Sequence, residues 1–142
     1  MLLFDVNVLV YAHRADAADH TRYREWLERM LSTEPAFGMA ELVLSGFIRV
    51  VTHPKVFRDP SPPEPALAFA EAIRDHPQCI LVAPGPQHWE IFVRLCRTAG
   101  AKGNLIADAY LAALAIESGT EWITTDRDYA RFPGLRCRHP LQ

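Results

Sequence analysis

The sequence predicts an α/β protein, an α/β/α sandwich with a central, mostly parallel sheet of four or five strands and helices on both faces. Three observations predict it. Short, unbroken apolar runs recur along the chain, as strands buried on both faces require. Stretches of helical period separate them, the pattern of crossover connections between parallel strands. The 142 residues, 49% hydrophobic and 23% charged, suffice for one domain with a sizeable core, so 1–142 is expected to be a single domain.

The first run is Met1 to Phe4, and Asp5 stands where that strand should end. Asn7 to Ala12 reads as the start of a helix, with Asn7 as its N-cap. After a polar break at 13–18, Asp19 to Leu31 carries Tyr23, Trp26, Leu27, Met30 and Leu31 on one helical stripe, with Asp19 as a candidate cap. Ala36 to Met39 is a second short strand. From Ala40 the period is helical again, through Leu44, Ile48 and Val51, until Pro54 closes the segment. Phe57 to Pro65 holds four prolines and reads as a loop. Ala66 to Ile73 is a helix. Cys79 to Ala83 reads as a third buried strand, and Gln87 to Arg97 as a helix with Trp89, Phe92, Val93 and Cys96 as its stripe. Asn104 is placed as the cap of the most strongly helical segment, Leu105 to Glu117, with Gly119 just past its end. Trp122 to Thr125 is a fourth strand, and it too runs into an acid, Asp126. A helical turn at Asp128–Phe132 and a possible last strand at Leu135–Arg138 complete the chain.

Composition narrows the function. Fifteen Lys and Arg against seventeen Asp and Glu give a formal net charge of -2, which argues against a strongly basic, non-specific nucleic-acid binder. Arg outnumbers Lys, which occurs only at Lys55 and Lys102, and Arg is the better fork for phosphate. Cys79, Cys96 and Cys137 are odd in number and far apart, so they read as reduced packing residues. No charged and apolar leader precedes a small-residue cleavage site, and no apolar run approaches ~18 residues. The expected location is cytoplasmic, with no membrane association.

The acids carry the chemistry. Asp5 and Asp126 follow apolar strands. Asp108 lies early in its helix on a face shared with Leu105, Leu111, Ala112 and Ala115, and Glu41 shares a face with Leu44, Ser45 and Ile48. Singly, each has a plain structural reading: a cap at Asp5 or Asp126, a first-turn acid at Glu41, a salt bridge at Asp108. Together, two strand ends and two helix starts converge on one edge of a parallel sheet, where ligands bind in such folds. Carboxylates gathered there repel one another unless a divalent cation joins them. Hard oxygen ligands suit Mg²⁺ or Mn²⁺, whose use is phosphoryl chemistry. Asp5, Asp108 and Asp126 are then candidate ligands, with Glu41 completing the cage or orienting water. Asn7 and Thr125 are expected to hydrogen-bond those carboxylates, and Asp128 either caps its own turn or approaches a second metal.

The segments LLFDVNVLVYAH at 2–13, AELVLSGFIRVVTHP at 40–54, GNLIADAYLAALAIESG at 103–119 and TTDRDYARFPGL at 124–135 occur in this order and spacing. Through them the chain resembles the PIN-domain ribonucleases, and within these the VapC-type toxins of toxin–antitoxin pairs. The family's four acids fall on Asp5, Glu41, Asp108 and Asp126. Relatives often carry a polar residue, commonly His, just before the third acid; here it is Ala107. The resemblance implies a Mg²⁺- or Mn²⁺-dependent endoribonuclease that inhibits translation by cutting a structured RNA such as tRNA or rRNA. It also implies homodimerisation and a VapB-like antitoxin partner. Arg14, Arg49, Lys102, Arg127 and Arg131 fall near the expected carboxyl edge as candidate phosphate contacts, while His13 and His53 read as structural or surface residues.

Three rivals remain beside that reading. A haloacid-dehalogenase-like phosphatase would need a general-acid Asp two residues after its nucleophile, where this chain has Asn7. A PIN nuclease of RNA maturation or DNA processing would share the same acids. A non-catalytic interaction module would have no need of them.

Overall fold

A computed structural model describes residues 1–142. The strands are β1 (Leu2–Phe4), β2 (Phe37–Met39), β3 (Cys79–Leu81), β4 (Glu121–Ile123) and β5 (Cys137–Arg138). The helices are α1 (Val6–His13), α2 (His20–Thr33), α3 (Glu41–Val51), α4 (Pro63–Arg74), α5 (His88–Ala99) and α6 (Asn104–Ser118), with a short 3-10 helix at Arg127–Arg131. All strand pairs are parallel, in the order β3-β2-β1-β4-β5. Leu3 faces Gly38 on one side of β1 and Trp122 on the other.

That order determines where a site can form. From β1 the chain works outward through β2 to β3, then returns to lay β4 against the free side of β1. The winding direction reverses between β1 and β4, and a crevice opens there at the carboxyl ends of the strands. Helix α1 packs against both α2 and α3, and α3 against α4, while α5 and α6 pair separately. Leu3 and Phe4 point to opposite faces of the sheet and both have no exposed surface, so both faces of β1 are covered. Phe4 meets Trp26 edge-on and Phe37 at a tilt; truncating such a side chain to Ala costs about 3–5 kcal/mol. No helix is long and apolar enough to cross a membrane.

Several elements depart from the sequence expectation. Helix α1 begins at Val6, and its cap is Asp5 rather than Asn7. Asn104 does not cap α6; it is already the first helical residue, and no side chain caps that end. Helix α4 starts at Pro63, so what reads as loop prolines includes a first helical turn, where proline's missing N–H costs nothing. Gly119 does end α6, in the left-handed conformation at φ 69°. The run from Cys79 is not buried: β3 lies at the sheet edge, and Ile80 and Leu81 are about half exposed at 48% and 45%. Cys137 is likewise exposed on the opposite edge strand, and all three cysteines are free.

Candidate active site

Asp5 is the most constrained of the acids. Its backbone N–H continues the ladder by donating to the Ile123 carbonyl at 2.9 Å, which places its side chain directly over the β1–β4 crevice. The side chain is only 7% exposed. Its Oδ1 accepts from the Val6 N–H at 2.7 Å, and its Oδ2 accepts from the Thr124 hydroxyl at 2.6 Å and the Asn7 amide at 3.0 Å. Every donor to it is neutral. Burial pushes its carboxyl up to about 6, reinforced by the nearby charges of Asp108 and Asp126 and only partly offset by the Thr124 and Val6 bonds.

The two strand ends are tied together around it. The Asn7 side-chain oxygen accepts from the Thr125 N–H at 3.2 Å, and the Thr124 hydroxyl accepts from the Asp126 N–H at 3.0 Å. Asp126 caps the 3-10 helix by accepting from the Asp128 N–H at 2.9 Å on Oδ1, which leaves its Oδ2 without a hydrogen-bond partner.

Asp108 arrives from the second turn of α6. Its Oδ1 accepts from the Tyr129 hydroxyl at 3.2 Å, and Tyr129 itself is 1% exposed. Burial raises the Asp108 carboxyl above its ordinary range, with Asp126 and Asp128 adding to that rise and Tyr129 opposing it. Burial, then the neighbouring Asp5, Asp108 and Asp126, drive the Tyr129 phenol far above its usual value, so its hydroxyl stays a donor.

The structure therefore gathers Asp5, Asp108 and Asp126, with exposed Asp128 at the rim. It does not bring Glu41 to them. Glu41 starts α3 at the end of β2, next to β1, but it is exposed and its Oε2 accepts from Arg74 Nε at 3.0 Å. No three His, Cys, Asp or Glu side chains stand close enough to hold a metal ion as they are. The donor set nevertheless suits one. Asp5, Asp108 and Asp126 make no ion pair with any Arg, Lys or His, and partly buried carboxylates without a cation are what a hard divalent ion satisfies.

Two side chains at the centre of this arrangement escape the sequence reading. The hydroxyl on Asp5 belongs to Thr124, not Thr125, whose contribution is its backbone N–H to Asn7. Tyr129 reads in sequence as part of a turn, although its place three residues after a strand-end acid is a usable signal. Among the candidate phosphate contacts, Arg14 is committed elsewhere. It is buried, held by Asp16 and Ser61, and stacked on the Phe57 ring at 4.1 Å. Arg49, Lys102, Arg127 and Arg131 are exposed. His13 packs edge-on against Phe47 and Phe69, in keeping with a structural role.

The chain is similar to known proteins in sequence and in fold. The sequence profile of the PIN domain matches residues 2–135. The chain is 48% identical over 141 residues to the VapC43 ribonuclease of Mycobacterium tuberculosis, covering 99% of this chain and 96% of that one. It is 41% identical over 140 residues to the VapC25 ribonuclease of the same species, covering 99% of each. Among solved structures it is similar to VapBC2 of Rickettsia felis bound to a promoter DNA fragment, with a TM-score of 0.70 at 16% identity and 97% of each chain covered. It is also similar to VapC20 of M. tuberculosis, described as a sarcin-ricin loop cleaving toxin, with a TM-score of 0.66 at 18% identity, covering 96% of this chain and 99% of that one.

Proposed function

The chain belongs to the PIN domain family, as a VapC-type toxin endoribonuclease, and from that premise we propose that it cuts structured RNA at the β1–β4 crevice. The observation that carries the proposal is Asp5. A buried carboxylate held only by neutral donors, with Asp108 and Asp126 close enough to raise its pKa, is a site that calls for a cation.

Family members of this kind depend on a divalent metal; here we assign Mg²⁺ or Mn²⁺ to Asp5, Asp108 and Asp126 by their hard oxygen donors. Such an ion, when bound, supplies charge against the phosphate and makes water acidic enough to attack at neutral pH. The protein's own part is positional. Thr124 and Asn7 fix the Asp5 carboxylate, Tyr129 fixes that of Asp108, and the capped 3-10 helix fixes that of Asp126. Glu41 joins as an acid that orients water once it leaves Arg74. Asp128 adds negative charge at the rim.

The partner is an antitoxin of the VapB type. Residues 1–142 act as a single PIN domain that pairs with a second copy, and the exposed Arg49, Lys102, Arg127 and Arg131 meet the RNA backbone. The substrate is a tRNA or rRNA whose cleavage stops translation. Expression of the chain alone should arrest growth, and co-expression of the antitoxin should restore it. Sequencing new RNA ends during arrest should find cuts concentrated at one position in a structured RNA. Growth arrest without any new RNA ends would contradict the proposal.

A further inference from the structure

Next to the acids, a groove of about 430 Å³ opens at the carboxyl ends of β4 and β5. Thr125, Asp126, Arg127, Arg138 and His139 are among its nine lining residues, of which Ala130 and Cys137 are hydrophobic. Asp126 lines this groove and is also one of the acids beside Asp5, so the two adjoin at that residue.

The groove's two arginines and its threonine are free or held ready. Arg127 is exposed and makes no ion pair. Arg138 gives Nε and Nη2 to Glu121 Oε1 at 3.2 and 3.1 Å, which anchors the side chain and leaves Nη1 unused. His139 is turned into the protein: its Nδ1 accepts from the Leu141 N–H at 3.1 Å and its Nε2 meets the Tyr23 hydroxyl at 3.5 Å, so it shapes the groove wall rather than donating into it. The Thr125 hydroxyl makes no hydrogen bond within the protein. A slot that presents two guanidinium groups beside a phosphodiester-cleaving centre suits a phosphate, and the carbon surface between them suits the sugar.

We propose that this groove seats the nucleotide next to the scissile phosphate, with Arg127 and Arg138 gripping its phosphate and the Thr125 hydroxyl donating to its sugar or base. The inference rests on the RNA-cleaving function above. It sets the direction in which the RNA leaves the acids: over β4 toward β5, on the side away from β2.

The test is steady-state cleavage of a labelled RNA hairpin containing the cut site, in Mg²⁺, by the full chain. Arg127→Ala should raise KM about tenfold with kcat unchanged, and should make the salt dependence of kcat/KM shallower by about one charge. Arg138→Gln should act in the same direction, and Arg94→Ala, exposed on α5, should match wild type. Arg127 has no partner within the protein, so its variant keeps the test valid even if Arg138→Gln folds poorly. On a hairpin trimmed of the nucleotides on one side of the cut, wild type and Arg127→Ala should become equal. An unchanged KM for Arg127→Ala overturns the inference while leaving the RNA-cleaving function intact. So does loss of antitoxin neutralisation with RNA kinetics unaltered, since the groove would then serve the protein partner. A wild-type chain that cleaves no RNA overturns the function itself, and the groove assignment with it.

Discussion

Asp5 sets the residue-scale behaviour. Its carboxyl lies above its unfolded-state value of 3.8, at about 6, so the charged form is disfavoured in the metal-free fold. The cost is on the order of 3 kcal/mol at neutral pH. Because the folded pKa is raised, this cost fades as pH falls through about 6 toward 3.8. Metal-free wild-type protein should therefore gain thermal stability relative to Asp5→Asn across that interval, as thermal melts at stepped pH would measure. Metal binding must displace the same proton, so Mn²⁺ affinity measured by calorimetry should fall as pH drops below about 6. Thr124 makes a second prediction. Thr124→Val removes a 2.6 Å bond to Asp5 and the acceptor for the Asp126 N–H, and should slow RNA cleavage by about 10–100-fold. Thr125→Val leaves its backbone bond to Asn7 in place and should cost far less in turnover. The acids were legible in the sequence because each interrupts an apolar pattern, but the choice between adjacent threonines was not. Successive strand residues face opposite ways, and β4 stops at Ile123, two residues before the expected end, so a small boundary error exchanges the two side chains. Arg74 was equally hidden, since its pairing with Glu41 joins residues 33 apart in sequence.

Among the elements, α6 carries the greatest burden, because it delivers Asp108 near one end and a structural clamp at the other. Glu117 accepts from the Gly85 and Gln87 N–H groups at 2.7 and 2.8 Å, fastening the β3–α5 connection to α6. Those bonds hold its carboxyl below the usual range. A depressed pKa stabilises the fold above the unfolded-state value and loses that effect as pH falls through the folded one. Glu117→Ala should thus lower the melting temperature at neutral pH, and the difference from wild type should close in acid. Gly85→Ala should act alike, because a Cβ there would lie 2.8 Å from Glu117 Oε2 and push the carboxylate off both donors. The helices themselves were readable from their period and their glycine stop at Gly119. The strand at Cys79 shows what period leaves open. CILVA has the composition of a central strand, yet its place at the edge is decided by the order in which strands pair, and that order is a long-range property.

At the scale of the whole molecule, alternation of strand and helix fixes a parallel sheet, and the reversal of winding between β1 and β4 fixes where its crevice opens. Four acids from separate segments were expected at that edge. Asp5, Asp108 and Asp126 come within electrostatic reach of one another there without closing to metal-binding distance, while Glu41 stands at the same edge turned toward Arg74. The sequence could place each acid at a strand end or helix start, but side-chain direction depends on partners that only the assembled fold supplies. A net charge of -2 leaves RNA attraction to local arginines rather than to the overall field, so binding should be moderately salt-dependent. The central claim is that Asp5 and Asp108 form a cation-dependent nuclease centre. It is tested most directly by cleavage of purified RNA, over a Mg²⁺ titration, by wild type, Asp5→Asn and Asp108→Asn, with folding checked by circular dichroism. Metal-dependent cleavage by wild type, with nearly all activity lost in both folded variants, is the predicted result. Cleavage by both variants at the wild-type rate would contradict it.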